Sequence, residues 1–156
     1  MTAVNDPRIR RATAGDVPAI ERLVRDAFDM YVARIGKPPA PMLTDYADAV
    51  ATARVWVLEA DGRIVGALVN EVGDGHLLLD TVAVAPGTQG RGYGARLLER
   101  AEDDARELGL PEVRLYTHRA MTENQTFYPR HGYQETGRGN QDGYDRVFYR
   151  KRVELR

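Results

Sequence analysis

The 156-residue chain contains no cysteine, so disulfide bonds, cysteine nucleophiles and thiolate metal sites are excluded. It has no excess of either charge, because 22 basic residues face 23 acidic ones. Such a chain lacks the broad positive field that holds phosphates, so we expect no nucleic-acid partner. No run of about 18 apolar residues is present, and residues 1–8 lack the apolar stretch of a secretion signal. We therefore expect no membrane association and a cytoplasmic location.

The apolar content is that of an ordinary globular protein. Hydrophobic residues make up 43% of the chain, which is enough for one core but not for two independent cores. We find no internal repeat, no low-complexity tract and no long linker. The sequence therefore predicts a single domain over residues 1–156.

The first half of the chain alternates helical and extended patterns. A short strand at 8–13 precedes a helix that Asp16 caps and Gly36 ends, and Thr44 caps a second helix running to about residue 54. Two β-prone runs joined by Asp61-Gly62 then predict a hairpin. A third strand, over residues 77–85, follows it.

The second half continues with a loop over 86–94, a helix that Gly109 ends, and a strand over 113–118. A capping box from Thr122 to Gln125 opens a short helix that Gly132 closes, and the tail predicts two more strands. The order is β-α-α-β-β-β-α-β-α-β-β. It predicts one mixed α/β domain that is neither a TIM barrel nor a regular doubly wound sheet.

The loop at 86–94 has the sequence Pro-Gly-Thr-Gln-Gly-Arg-Gly-Tyr-Gly. Its alternate glycines remove Cβ atoms where a ligand must approach the main chain closely. The free N–H groups and dipole of the following helix favour a diphosphate there. A flexible turn would carry the same glycines, so the spacing alone leaves both interpretations open. The P-loop is excluded because Gly-Lys-Ser/Thr is missing, and a preceding antiparallel strand does not suit a dinucleotide-binding unit.

The run from Val84 to Gly94 resembles the acyl-CoA motif, Gln/Arg-x-x-Gly-x-Gly/Ala, of the GCN5-related N-acetyltransferase (GNAT) family. The run from Asn124 to Tyr133 resembles that family's helix ending in a tyrosine, followed by a glycine-aromatic pair. The element order also matches the family from about residue 8 to 153. The resemblance implies a GNAT-like acyl-CoA N-acyltransferase fold and transfer of an acetyl group from acetyl-CoA to a primary amine.

The resemblance also implies individual roles. The main chain of Val82, Ala83 and Val84 pairs with the pantetheine arm, and the Val82 amide polarises the thioester carbonyl. Tyr128 protonates the leaving thiolate, while the amides of residues 90–95 hold the pyrophosphate. The implied cofactor-binding set is Val82, Ala83, Val84, Gln89, Gly90, Arg91, Gly92, Tyr93, Gly94, Ala95, Asn124 and Tyr128.

Two positions depart from the family pattern. The family often carries an asparagine seven residues before the tyrosine, where this chain has Met121, and we expect Asn124 to replace it. Pro129 directly follows Tyr128 and removes one hydrogen bond of the short helix. The motif therefore does not fix the direction of the Tyr128 hydroxyl.

The second catalytic candidate is Asp80. Strand alternation places its side chain on the face of Val82 and Val84, where it would accept the amine proton or attract a cationic substrate. A solvated aspartate at a strand end would show the same pattern. Tyr116 and His118, on the next strand, are alternative bases.

The three histidines have no ligand spacing, so we expect no metal site. The implied partners are acetyl-CoA and an amine acceptor, most simply a small molecule. A protein or peptide N-acetyltransferase and a non-catalytic acyl-CoA-binding regulatory module remain alternatives, and the tail strands leave a homodimer open. Candidate acceptor residues, which would also be ordinary on a surface, are Tyr31, Arg34, Asp45, Tyr46, Asp48, Asp142 and Tyr144.

Overall fold

The computed structural model of the chain describes residues 7–88 and 90–155. Its elements follow the predicted order. The strands are β1 (Arg8–Arg11), β2 (Arg54–Ala60), β3 (Arg63–Val72), β4 (Leu77–Val84), β5 (Glu112–His118), β6 (Gln134–Gln141) and β7 (Tyr144–Arg152). The helices are α1 (Val17–Ile35), α2 (Tyr46–Thr52), α3 (Tyr93–Glu107) and α4 (Asn124–Arg130), with 3₁₀ turns at Ala14–Asp16 and Ala40–Leu43.

The seven strands form one sheet in the order β1-β2-β3-β4-β5-β7-β6. All neighbouring strands are antiparallel except β4 and β5, which are parallel. The β4–β5 pairing is short, because it joins only Leu77–Leu79 to Val113–Leu115. Beyond these residues the two strands separate, and a cleft opens in the middle of the sheet.

Helices cover both faces of the sheet. Ile20 of α1 and Tyr46 of α2 are buried on one face, whereas Leu97 of α3 and Tyr128 of α4 are buried on the other. Burying one side chain of the size of Leu97 contributes roughly 1.5–3 kcal/mol. None of the helices in the described part of the chain combines the length and apolar character needed to cross a bilayer.

Strand β4 contains a β-bulge at Asp80. Val69 pairs with Thr81 and Asn70 pairs with Leu79, so Asp80 is an extra residue between the two pairs. The extra residue reverses the faces of the following side chains. Leu79 and Val82 consequently both pack on the α3 side, which regular alternation would forbid.

Two predicted helix caps differ from the structure in detail. Asp16 is the N-cap residue of α1, as predicted, but its carboxylate does not cap the helix. That carboxylate accepts hydrogen bonds from the Arg10 guanidinium at 2.8 and 2.9 Å and from the Thr13 N–H at 2.7 Å. At α2 the cap is Asp45, one residue after the predicted Thr44.

The predicted capping box at Thr122 is also wrong. Helix α4 begins at Asn124 without any side-chain cap. The Gln125 amide instead donates to the Arg119 carbonyl at 2.8 Å, and the Thr122 hydroxyl lies 3.4 Å from the Glu123 carboxylate. That carboxylate accepts two hydrogen bonds from Arg34 of α1, at 2.8 and 2.9 Å, which ties the start of α4 to α1.

Candidate active site

The cleft between β4 and β5 is the most enclosed feature near the predicted motifs. It has a cavity volume of about 70 Å³ and lies where the strands separate. Its walls come from β4, β5, α4, the 3₁₀ turn at Ala40–Leu43 and the start of β7. The lining residues are Phe28, Pro39, Ala40, Pro41, Leu79, Asp80, Thr81, Val82, Tyr116, Thr117, His118, Met121, Asn124, Tyr128, Tyr144 and Arg146.

The main chain of β4 presents unpaired groups to this cleft. The Ala85 N–H donates to the Val65 carbonyl of the β3 side at 2.8 Å. Because such bonds alternate along an antiparallel strand, the groups of Ala83 also point to β3, and those of Val82 and Val84 point to the cleft. The main chain of Ala83 is therefore not available to a cofactor, contrary to the prediction. The main-chain groups of Val82 and Val84 face the cleft and are available.

The glycine loop leads into α3 with a bare main chain. Gly90 and Gly92 have positive φ angles of 84° and 77°, and no atom lies within 4 Å of a Cβ added at either residue. Gly92 is the N-cap of α3 and supplies no capping side chain. The first N–H groups of α3 therefore lack helical acceptors and suit an anion. Gln89, predicted to bind the cofactor, lies outside the described residues.

Some of the other predicted loop residues pack within the protein, and others are open to a ligand. The Tyr93 side chain is buried in the core beside Leu97, so only its amide is available to a ligand. A Cβ at Gly94 would lie 3.1 Å from the Phe127 ring, so this glycine is needed for packing between α3 and α4. Arg91 is exposed, and Ala95 lies in the first turn of α3.

Tyr128 lies in α4, lines the cleft and is 4% exposed. Its ring packs against Phe127, Tyr133 and Tyr149, with centroid distances between 5.4 and 5.9 Å. Burial raises the pKa of this phenol above its ordinary value, so the hydroxyl stays protonated at neutral pH. The aromatic contacts hold the ring in spite of Pro129.

Asn124 and Met121 both line the cleft. The Asn124 amide donates to the Thr117 hydroxyl at 2.9 Å and contacts the Met121 sulfur at 3.6 Å. Asn124 therefore presents an amide to the cleft one turn after the position that the family pattern gives to asparagine.

Asp80 lies beside the open end of β4, but the prediction that it shares a face with Val82 is wrong. The bulge turns its side chain toward β5, where it accepts a hydrogen bond from the Tyr116 hydroxyl at 3.2 Å. Burial and the Asp80 charge together raise the pKa of Tyr116 to about 12. Tyr116 is therefore a neutral donor to Asp80 and is unsuited to act as a base.

His118 lines the cleft as well, but its ring is already engaged. Its Nδ1 accepts the Ala120 N–H at 2.9 Å, so the proton of the neutral ring is on Nε2. Burial lowers the pKa of His118, and the neutral form therefore dominates at neutral pH. With one nitrogen protonated and the other occupied, His118 is a poorer base than the Asp80 carboxylate.

The structure brings few of the predicted acceptor residues to the cleft. Tyr144 lines it, and the Tyr46 hydroxyl supports its roof by donating to the Pro41 carbonyl at 2.6 Å. Arg34 instead pairs with Glu123. Tyr31, Asp45, Asp48 and Asp142 do not line the cleft. No group of three potential ligands for a metal occurs among residues 7–88 and 90–155.

Arg146 and the apolar roof formed by Phe28, Pro39 and Pro41 line the cleft without any sequence pattern that predicted them there. The three prolines near residue 40 indicated a helix end but not a cleft wall. Arg146 is one of many arginines and carries no local pattern. Only the pairing of β7 with β5, which sets Arg146 opposite His118, brings it to the cleft.

Sequence comparisons agree with this geometry. A family model described as an acetyltransferase (GNAT) domain matches residues 51–135, which is more than half of the chain. A curated relative, the amino-acid acetyltransferase of Mycobacterium tuberculosis, is 34% identical over 137 residues. That match covers 83% of this chain and 69% of the relative.

Solved structures show the same fold at low identity. The PaiA N-acetyltransferase from Thermoplasma acidophilum, in complex with coenzyme A, superposes with a TM-score of 0.80 at 18% identity, covering 95% of this chain and 99% of the other. The ribosomal-protein-S18-alanine N-acetyltransferase from Escherichia coli gives a TM-score of 0.76 at 18% identity, covering 96% of both chains. The family match, the curated relative and the fold agree: this chain belongs to the GCN5-related N-acetyltransferase family and is an acetyl-CoA-dependent N-acetyltransferase.

Proposed function

We propose that the enzyme acetylates the primary amine of a small molecule by direct attack within a ternary complex, with Tyr128 as the acid and Asp80 as the base. One observation carries this proposal. The cleft between β4 and β5 is lined by Val82, Asp80 and Tyr128 together. These residues supply a hydrogen-bond donor, a proton acceptor and a proton donor.

The described residues fit acetyl-CoA along the open edge of β4. The cleft-facing main chain of Val82 and Val84 would hydrogen-bond to the pantetheine arm, with the Asn124 amide on the opposite wall. The amides from Gly90 to the first turn of α3 would hold the diphosphate, because no Cβ occupies the space in front of them. Acetyl-CoA would supply the activated acyl group.

Each proton in the transfer has a residue to receive or supply it. Asp80 would accept a proton from the incoming amine, and the Val82 N–H would donate to the carbonyl oxygen as the new C–N bond forms. The C–S bond breaks as Tyr128 gives its phenolic proton to the sulfur. Burial raises the pKa of Tyr128, so the phenolic proton is present at neutral pH when the amine arrives.

A small acceptor is favoured by the closed roof of the cleft. The Tyr144 hydroxyl donates to the Pro38 carbonyl at 2.7 Å, and Lys37 donates to the Gly143 carbonyl at 2.8 Å. These bonds join the β6–β7 hairpin to the α1–α2 connection across the cleft. The name of the M. tuberculosis relative, an amino-acid acetyltransferase, points to the same size of substrate.

Three further expectations from the sequence remain predictions. Among residues 7–88 and 90–155, no contact favours a peptide acceptor or a non-catalytic regulatory module over this proposal. Pairing of two copies through the tail strands predicts a homodimer, which light scattering on the purified protein would detect. Fractionation of expressing cells would test the predicted cytoplasmic location.

The substitution Tyr128→Phe tests the proposed acid. It removes the phenolic proton and keeps the ring, so we expect kcat to fall about 100-fold with the best acceptor. The dissociation constant for acetyl-CoA should stay within about twofold, as measured by calorimetry. Tyr133→Phe is the matched control, because it deletes a buried hydroxyl that bonds Glu102 outside the cleft.

The acceptor is found by measuring release of coenzyme A from acetyl-CoA with amines, polyamines, amino acids and peptides. Unchanged kcat in Tyr128→Phe would remove this residue from the mechanism. Binding of acetyl-CoA without transfer to any acceptor would instead favour the regulatory module.

A further inference from the structure

Arg146 is a buried cation in the wall of the cleft. It is 8% exposed and lines the cleft together with Asp80, Tyr116 and Tyr144. A buried guanidinium costs free energy unless anions or hydrogen bonds compensate for the lost water. The interactions of Arg146 within the protein therefore show whether its buried charge is compensated without a ligand.

The protein partners of Arg146 are few. Nη1 donates to the Gln141 amide oxygen at 2.6 Å, and the carboxylate of Asp142 lies 3.7 Å from the same nitrogen. The Asp142 side chain is 79% exposed, so water screens its charge. A guanidinium carries five N–H donors. Among the described residues, a single side-chain hydrogen bond, the one to Gln141, uses a donor of Arg146. Donors thus remain available for an anion in the cleft.

The Arg146 guanidinium and the Asp80 carboxylate both contact Tyr116. The guanidinium carbon lies 3.9 Å from the centre of the Tyr116 ring, and the hydroxyl of the same ring donates to Asp80. Within the described residues, Arg146 and Asp80 form no ion pair. The cleft therefore holds a cation and an anion that are separated by about one phenol ring.

We propose that the acceptor carries a carboxylate beside its reacting amine, and that Arg146 binds this carboxylate and thereby selects amino acids. The inference rests on the proposed function, because it uses the same cleft and the same direction of attack. With the carboxylate on Arg146, the amine of a small amino acid lies toward Asp80. An arginine suits this role since its planar fork of donors matches the two oxygens of a carboxylate.

The surroundings of Arg146 favour a monoanionic group over a phosphate. Lys37, the next cation along the roof, lies 4.1 Å from the Tyr144 ring and gives a hydrogen bond to Gly143. Lys37 therefore faces the hairpin, and Arg146 is left as the cation that would bind an anionic group of the ligand. A polyamine, which carries only positive charge, would be repelled by Arg146.

The test compares amino acids with their matched carboxamides, such as glutamine with glutaminamide and alanine with alaninamide. Each pair keeps the amine and the side chain and differs in the charge of one group. For the wild type, we expect kcat/KM for the best amino acid to exceed that of its carboxamide by about 10- to 100-fold, as for loss of a charge-assisted hydrogen bond. Equal values would overturn the inference and leave the proposed function intact.

The substitution Arg146→Gln should abolish this preference. We expect KM for the amino acid to rise about 10- to 100-fold, while KM for the carboxamide changes little. Arg146→Lys, which keeps the charge, should recover part of the preference and gives a second variant if the first does not fold. Arg138→Gln, which removes an exposed arginine paired with Glu135 on the same hairpin, is the control.

Calorimetry with acetyl-CoA checks that each variant is folded. A preference that survives in folded Arg146→Gln and Arg146→Lys would overturn the inference. No transfer to amino acids, carboxamides or simple amines by folded wild type would overturn the proposed function and this inference together.

Discussion

At the scale of single residues, the chemistry of the cleft depends on which side chains give or take a proton near neutral pH. Tyr128 and Tyr116 both have a raised pKa and remain protonated, and one His118 nitrogen is occupied by the Ala120 N–H. Asp80 is the cleft-lining carboxylate, and its partner Tyr116 donates rather than accepts. These assignments favour Asp80 as the base that we propose.

The substitution Asp80→Asn should lower kcat about 100-fold at pH 7, because an amide cannot accept the amine proton. The deficit should shrink as the pH approaches the pKa of the acceptor amine, since the amine then arrives already deprotonated. The measurement is a pH profile of kcat for both proteins, with acetyl-CoA affinity as the check on folding.

Tyr116→Phe is the control for Asp80→Asn, because it removes the hydrogen bond to Asp80 but keeps the carboxylate. We expect a smaller loss of kcat from this change. Wild-type kcat in Asp80→Asn would exclude Asp80 as the base and make His118 the next residue to replace.

At the scale of elements, the β4–loop–α3 unit carries the cofactor interactions that we propose. Strand β4 ends with main-chain groups directed into the cleft, and α3 begins at Tyr93 without a capping side chain. Gly90 and Gly92 between them adopt left-handed backbone conformations with open space at the Cβ position. The described residues of this unit therefore present main-chain hydrogen-bonding groups on both sides of the loop.

Gly92→Ala tests this edge. The added Cβ meets no protein atom, but it enters the space where we expect the diphosphate, so acetyl-CoA binding should weaken at least 10-fold in calorimetry. The control is Gly109→Ala at the other end of α3. Gly109 has a similar φ of 70° and an equally open Cβ position, so it reports the backbone strain alone. Equal acetyl-CoA affinities in the two variants would contradict the loop assignment.

At the scale of the whole molecule, one buried carboxylate ties α3 to the sheet. Asp104 is fully buried and accepts hydrogen bonds from Trp56 at 2.8 Å, Asn70 at 2.9 Å and Arg54 at 3.1 Å. Burial raises the pKa of Asp104, but the hydrogen bonds outweigh that effect and lower it below its ordinary value. Because Asn70 lies opposite the bulge in β4, this network also supports the strand that lines the cleft.

Asp104→Asn should lower the free energy of unfolding by about 3 kcal/mol at pH 7, because it removes the buried anion that Arg54 and Arg100 share and leaves them the exposed carboxylate of Glu107. A carboxyl with a lowered folded-state pKa stabilises the protein above its unfolded pKa and loses that contribution as the pH falls. The difference between the two proteins should therefore shrink below about pH 4. Urea unfolding at several pH values measures it.

Asp103→Asn is the neighbouring control on the same helix. Its side chain is 52% exposed and pairs with Arg106, so we expect little change in stability. A loss in Asp104→Asn that does not exceed the loss in Asp103→Asn would show that the buried network contributes nothing to stability.

Local patterns were enough to predict the order of the elements, and the two motif segments could be identified directly in the sequence. Asp61 and Gly62 both adopt the positive φ angles of a tight hairpin turn, as their sequence predicted. The predicted side-chain caps failed where another group takes the side chain, as Arg10 takes the Asp16 carboxylate and the Arg119 carbonyl takes the Gln125 amide. Such competition depends on how a helix folds against the strand or turn before it, which the periodicity of the helix does not record.

The sequence by itself determined the order of elements through turn residues and apolar periodicity, and its two motif segments carried the resemblance that implied the family, the fold and the use of acetyl-CoA, because both signals are local properties of the chain. Only the tertiary structure decided which way Asp80 points and that Arg146 lies in the cleft. The bulge arises from the register between β3 and β4, and Arg146 reaches the cleft through the pairing of β7 with β5. Register is a property of strand pairs, so it exists only once the sheet has formed.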